Sequence, residues 1–143
     1  TGAGKSVLLA LMALQFRRYA GAQVFAVECD KRLVTFAREN AAKYHLEKNL
    51  QVRESSVERF LDAPPKVSQV HTLLADPPRS GLGPLALRLP QSKLLILISC
   101  HLPSCVRDLK QLSAHGWRIE GIFPFDMFAQ TSYVEILSVL RRD

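Results

Sequence analysis

The sequence predicts an α/β fold: a mostly parallel sheet with helices on both faces, an antiparallel C-terminal edge and no first strand. Three observations lead there. Short apolar runs alternate with helical stretches, the signature of strands joined by helical crossovers. One run, "KLLILIS" (93–99), is apolar at successive positions, as a strand buried on both faces must be. The last two runs follow one another with no helical stretch between them, which suits an antiparallel pair.

In order, Val7 to Tyr19 is dense in helix formers and stops before Gly21. "QVFAVE" (23–28) reads as a strand and Lys31 to Tyr44 as a helix. "LQVRE" (50–54) is a second strand, leading to a short helix from Ser56 to Leu61. After the break at Ala63-Pro64-Pro65, "VHTLLA" (70–75) is strand-like and closes on Asp76-Pro77-Pro78. Past 93–99, a helix is expected from Ser104 to His115, ending at Gly116. "WRIEGIFPF" (117–125) and "YVEILSVL" (133–140) form the expected edge pair. A glycine loop that opens a helix should follow a strand. The chain is therefore expected to be a piece of something longer, cut inside its first motif.

The 143 residues, 48% hydrophobic and 22% charged, suit one ordered domain over 1–143. The longest apolar stretch, Val7 to Phe16, is too short to span a bilayer, so no membrane association is expected. The glycine turn at the start does not read as a signal peptide. Three cysteines make no disulfide framework, and Cys100 and Cys105 lack further ligands at zinc spacing. Reduced thiols, a cytoplasmic location and no metal are expected. The net charge of +6 favours a polyanionic partner without demanding one.

Several positions could carry chemistry. The opening "TGAGKS" spells the end of a phosphate-binding loop, with Lys5 on phosphates and Ser6 on magnesium. It equally suits a cofactor cradle in which Gly2 and Gly4 let the backbone approach a ligand. Glu28, ending a strand 24 residues after Gly4, is either a surface charge or a carboxylate for the two ribose hydroxyls of an adenosine cofactor. Asp76 would be the magnesium ligand if the first loop bound a triphosphate. It opens "DPPRSGLG" (76–83), where two prolines fix the backbone at a strand end and two glycines free it again. Cys100 stands past the central strand and before a helix, with His101 beside it. It is either a small buried residue or a nucleophile. Cys105, inside the helix, reads as structural, and His45, His71 and His115 as ordinary. Glu135, in an apolar strand, faces solvent or is a poised carboxylate.

Together, Asp76-Pro-Pro-Arg-Ser-Gly-Leu, Ser99-Cys100, Arg107-Asp108-Leu109 and "FDMFAQTSYVE" (125–135) resemble the catalytic domain of the uracil-5 RNA methyltransferases, over almost the whole chain. The resemblance implies a Rossmann-like class I methyltransferase that uses S-adenosylmethionine to make 5-methyluridine in tRNA or rRNA. It assigns Gly2, Gly4, Lys5, Glu28, Ser56 and Asp76 to the cofactor, and Asp76 and Arg79 to the substrate base. Cys100 becomes the nucleophile and Glu135 the general base. The chain departs from the family pattern at Lys5, Ser56, His101-Leu102 and Ala129. The rival readings are a domain of this fold that binds cofactor or RNA without catalysis, a triphosphate-hydrolysing P-loop protein and a cytosine-5 methyltransferase. Arg79 stands where the last would carry its cysteine.

Overall fold

The computed structural model describes residues 23–63, 70–126, 130–131 and 134–142. The expected helix at Val7 to Tyr19 lies outside the described residues. The chain divides into two compact units, Thr1–Pro64 and Pro65–Asp143.

In the first unit, β1 (Val24–Glu28) and β2 (Leu50–Glu54) run parallel, with Glu28 opposite Glu54 at their carboxyl ends. Helix α1 (Lys31–Lys43) makes the crossover. It begins where Asp30 accepts the N–H of Arg32 at 2.8 Å, satisfying one of the donors a helix start leaves unpaired. The Arg32 side chain, bonded to the same carboxylate, holds Asp30 below the usual carboxylate range. Val34, Ala37 and Ala41 form the buried stripe of α1, spaced to fall on one helical face. Ala26, Ala41, Leu46 and Leu50 make a small core. Helix α2 (Val57–Asp62) is capped by Ser56, whose Oγ accepts the N–H of Arg59 at 3.2 Å.

In the second unit, four strands are ordered β3-β4-β6-β5: β3 (Thr72–Ala75), β4 (Leu94–Ser99), β5 (Arg118–Phe125) and β6 (Glu135–Arg141). β3 and β4 are parallel, while β6 is antiparallel to both β4 and β5. The expected terminal pair therefore forms, but β5 alone is the edge and β6 is an inner strand. Its sequence shows why: Ile136, Ser138 and Leu140 are buried on one face, whereas β5 is mostly exposed. A short 3-10 turn, Gly83–Leu87, which the sequence did not suggest, precedes β4.

Helix α3 (Leu102–Ala114) starts two residues before its expected beginning because Pro103 can occupy the first turn, where its missing N–H costs nothing. Cys105, Leu109 and Leu112 of α3 pack on Leu95, Leu97, Ile136 and Leu140 of the sheet, with Trp117 and the 3-10 turn closing the core. This packing fixes the start of α3 against the carboxyl end of β4, where Ser99 leads into Cys100. Among the described residues, no helix is long and apolar enough to cross a membrane.

Candidate active site

The site of the second unit lies past the ends of β3 and β4, where open α/β sheets bind their ligands. A cavity of about 400 Å³ opens there, lined by Arg79, Cys100, His101, Pro124 and Ile136 among others. Cys100 is half-buried, its thiol free of any disulfide. On the next strand, the last β4–β6 pair is Ser99 with Ile136. Cys100 directly follows Ser99, and Glu135 directly precedes Ile136 and pairs with Phe125 of β5. Glu135 is half-buried, and its neighbours Val134 and Ile136 both line the cavity. Two of the sequence's candidates, Arg79 and Cys100, thus share a cavity, and a third, Glu135, lies between two of its lining residues in sequence.

His101 does have a partner. Its Nδ1 lies 3.1 Å from the Oγ of Ser104. That hydroxyl has one proton and two carbonyls also within reach, Arg79 O at 2.8 Å and His101 O at 3.0 Å, so its direction toward Nδ1 depends on the His101 tautomer.

The loop that carries Arg79 is held by one turn of α3. Pro78 O accepts the N–H of Gly81 at 2.8 Å, closing a tight turn. Arg107 Nη2 donates to Ser80 O at 2.6 Å. Asp108, fully buried, accepts the N–H groups of Leu82 at 2.6 Å and Gly83 at 3.2 Å. The same carboxylate accepts from Arg107 Nε at 3.1 Å and Nη2 at 2.7 Å. A buried carboxylate is tolerable only when paired and bonded in this way. Gly81 has φ +76°, and a Cβ there would run into the Asp108 carboxylate and lie 2.7 Å from Arg107 Nη2. Ser104, Arg107 and Asp108 received no role from the sequence. The available signal was Asp108, a charge three residues after Cys105 and beside Leu109, on the inward arc of an amphipathic helix.

The cofactor candidates are distributed differently. Glu28 ends β1, and its Oε1 accepts from the backbone N–H groups of Cys29 at 2.7 Å and Asp30 at 2.9 Å. These bonds orient the carboxylate at the strand end. The Glu28 carbonyl accepts from Ser55 N at 3.0 Å, which brings the start of α2 beside it. A fixed carboxylate next to two serines suits the hydroxyls of a ribose. Ser56 is exposed and its Oγ serves as the α2 cap. Asp76, half-buried, directly follows β3. Gly2, Gly4 and Lys5 lie outside the described residues. Among those residues, no group of three or more His, Cys, Asp or Glu could hold a metal ion.

The comparisons with solved structures show a Rossmann-like class I methyltransferase fold. A putative methyltransferase from Thermoplasma acidophilum shares the fold at a TM-score of 0.68 and 10% identity, over 94% of this chain and 64% of its own. More narrowly, residues 9–143 match the model of the tRNA (uracil-5-)-methyltransferase family, and the chain belongs to that family. An RNA methyltransferase of Thermotoga maritima is 35% identical over 82% of this chain and 27% of its own length. The 23S rRNA (uracil(1939)-C(5))-methyltransferase of Shewanella sediminis is 31% identical over 87% of this chain and 28% of its own. The Pyrococcus abyssi tRNA (uracil-54, C5)-methyltransferase, solved with S-adenosyl-L-homocysteine, superposes at a TM-score of 0.63 with 28% identity, over 82% of this chain and 28% of that one. The chain thus spans under a third of the length of these three relatives.

Proposed function

We propose that this chain is the catalytic part of an enzyme that methylates carbon 5 of a uridine in tRNA or rRNA through a covalent Cys100 adduct. The observation that carries the reading is the cavity past β4, which Cys100 and Arg79 line together with Val134 and Ile136, the two neighbours of Glu135. Family membership supports the reaction class.

Carbon 5 of uracil is a weak nucleophile. Attack of the Cys100 thiolate on carbon 6 moves the ring electrons toward carbon 5 and its neighbouring carbonyl, making carbon 5 nucleophilic. S-adenosylmethionine, when bound, would supply the methyl group that carbon 5 takes, the sulfur–methyl bond breaking to leave a neutral thioether. Glu135 then takes the proton from carbon 5, the carbon 5–carbon 6 double bond re-forms and Cys100 leaves as thiolate. Glu28, held by two backbone amides, is suited to the cofactor's ribose, with Gly2, Gly4, Lys5, Ser56 and Asp76 as its other contacts. Arg79 and Asp76 are assigned to the target base, which must leave any stack to reach a pocket at the strand ends.

The decisive experiment replaces Cys100 with Ala in the full chain. Wild type should methylate RNA and form a covalent complex with RNA containing 5-fluorouridine. Cys100→Ala should do neither, and unchanged methylation by the variant would overturn the mechanism.

A further inference from the structure

We propose that Asp108 is a positioning residue that sets the 79–83 loop, and through it the Arg79 side chain, at the cavity beside Cys100. The inference rests on the uracil-5 reading for what Arg79 does, but its geometry is independent of it.

Residues 104, 107 and 108 are three and four apart, so they share one face of α3. That face engages the backbone of five consecutive residues. Ser104 takes Arg79 O, Arg107 takes Ser80 O, Gly81 packs without a side chain, and Asp108 takes the N–H groups of Leu82 and Gly83. All these contacts are to main-chain atoms, so the face dictates the path of the loop whatever its side chains are. Arg79 is the residue of this loop that lines the cavity. On the adjoining stripe of the same buried arc, Cys105, Leu109 and Leu112 fix α3 to β4 and β6. The helix therefore ties the loop to the strand that leads into Cys100.

The carboxylate is specifically required. Asp108 accepts from Leu82 N on one oxygen and from Gly83 N, Arg107 Nε and Arg107 Nη2 on the other. Asparagine has the same shape but one acceptor oxygen, and its amide would turn a donor toward a donor.

The test is a double-mutant cycle in the full chain with Asp108→Asn, Arg79→Ala and the pair. Its readout is the rate of covalent complex formation on 5-fluorouridine RNA in the presence of S-adenosylmethionine, at a temperature where circular dichroism shows each variant folded. Each single change should slow the reaction by about tenfold or more, since small misplacements at a reacting centre are costly. The double variant should be within about twofold of Arg79→Ala, because Asp108 acts through the loop that Arg79 occupies. Multiplying effects, or no effect of Asp108→Asn, would overturn the proposal. Should Asp108→Asn fail to fold, Ser104→Ala takes its place in the same cycle. Trypsin gives a readout that needs no activity, because it cuts after Arg79. Cleavage at Arg79–Ser80 should be about tenfold faster in Asp108→Asn than in wild type, as local opening exposes the bond; equal cleavage overturns the proposal. A wild type that forms no complex with the RNA would sink the methyltransferase reading, and the trypsin comparison would still decide the role of Asp108.

Discussion

Ser99 and Ile136 face each other in register across β4 and β6, each next to a residue proposed to do chemistry, Cys100 and Glu135. An antiparallel ladder makes neighbours of two residues that are far apart in sequence. Because β6 is an inner strand, this register is fixed from both sides, by β4 and by β5. A slip of one residue would turn Ile136, Ser138 and Leu140 out of the core. The placement of the carboxylate thus follows from the packing of the strand behind it.

If Glu135 removes the carbon 5 proton, Glu135→Gln should form the bond to RNA and fail to release it. A methylated protein–RNA complex with ordinary uridine should accumulate on denaturing gels, with turnover reduced by about a hundredfold or more. Normal release by the variant would rule out Glu135 as the base.

Glu28→Gln keeps an acceptor for the amides of Cys29 and Asp30 but removes the charge. Calorimetric titration with S-adenosylmethionine should show affinity reduced by about tenfold, the loss of a charge-assisted hydrogen bond. The melting temperature without ligand should change little. Equal affinity would remove Glu28 from the cofactor site.

Gly81 and Gly83 both have positive φ, +76° and +53°, yet they differ in surroundings. Gly83 has open space where a Cβ would point, so Gly83→Ala should cost only the left-handed backbone penalty, about 1–2 kcal/mol. Gly81→Ala must also push aside the buried Asp108 carboxylate, so roughly 3 kcal/mol or more is expected. Urea unfolding midpoints should fall in that order, and equal shifts would contradict the close approach at Gly81.

Leu97 is completely buried in the core between β4 and α3. Leu97→Ala should destabilise the second unit by about 2–5 kcal/mol, the usual range for a cavity left by a leucine. Chemical denaturation monitored by Trp117 fluorescence would report it, since Trp117 belongs to the same cluster. A loss below about 1 kcal/mol would show that the core closes around the gap.

Much of the framework was legible in the sequence. Strand and helix identity followed from local patterns, because period-two and helical spacing of apolar residues reflect which face is buried. The run 93–99 became β4 and 50–54 became β2, while Asp76 and Cys100 fell past strand ends as their neighbours suggested. The order of motifs also pointed to the family that the chain belongs to. Strand order was not legible. "YVEILSVL" carries no mark saying that it enters between β4 and β5, since hydrogen-bond partners are chosen by the whole sheet. Nor could spacing give a role to Asp108, whose partners Leu82 and Gly83 lie 26 and 25 residues away. The sequence by itself determined the elements and the chemistry its residues can perform, because both depend on side-chain type and near neighbours. Only the tertiary structure decided that β6 pairs Ile136 with Ser99 and that α3 holds the Arg79 loop. Those relations arise when packing brings distant segments into one register and one buried hydrogen-bond network.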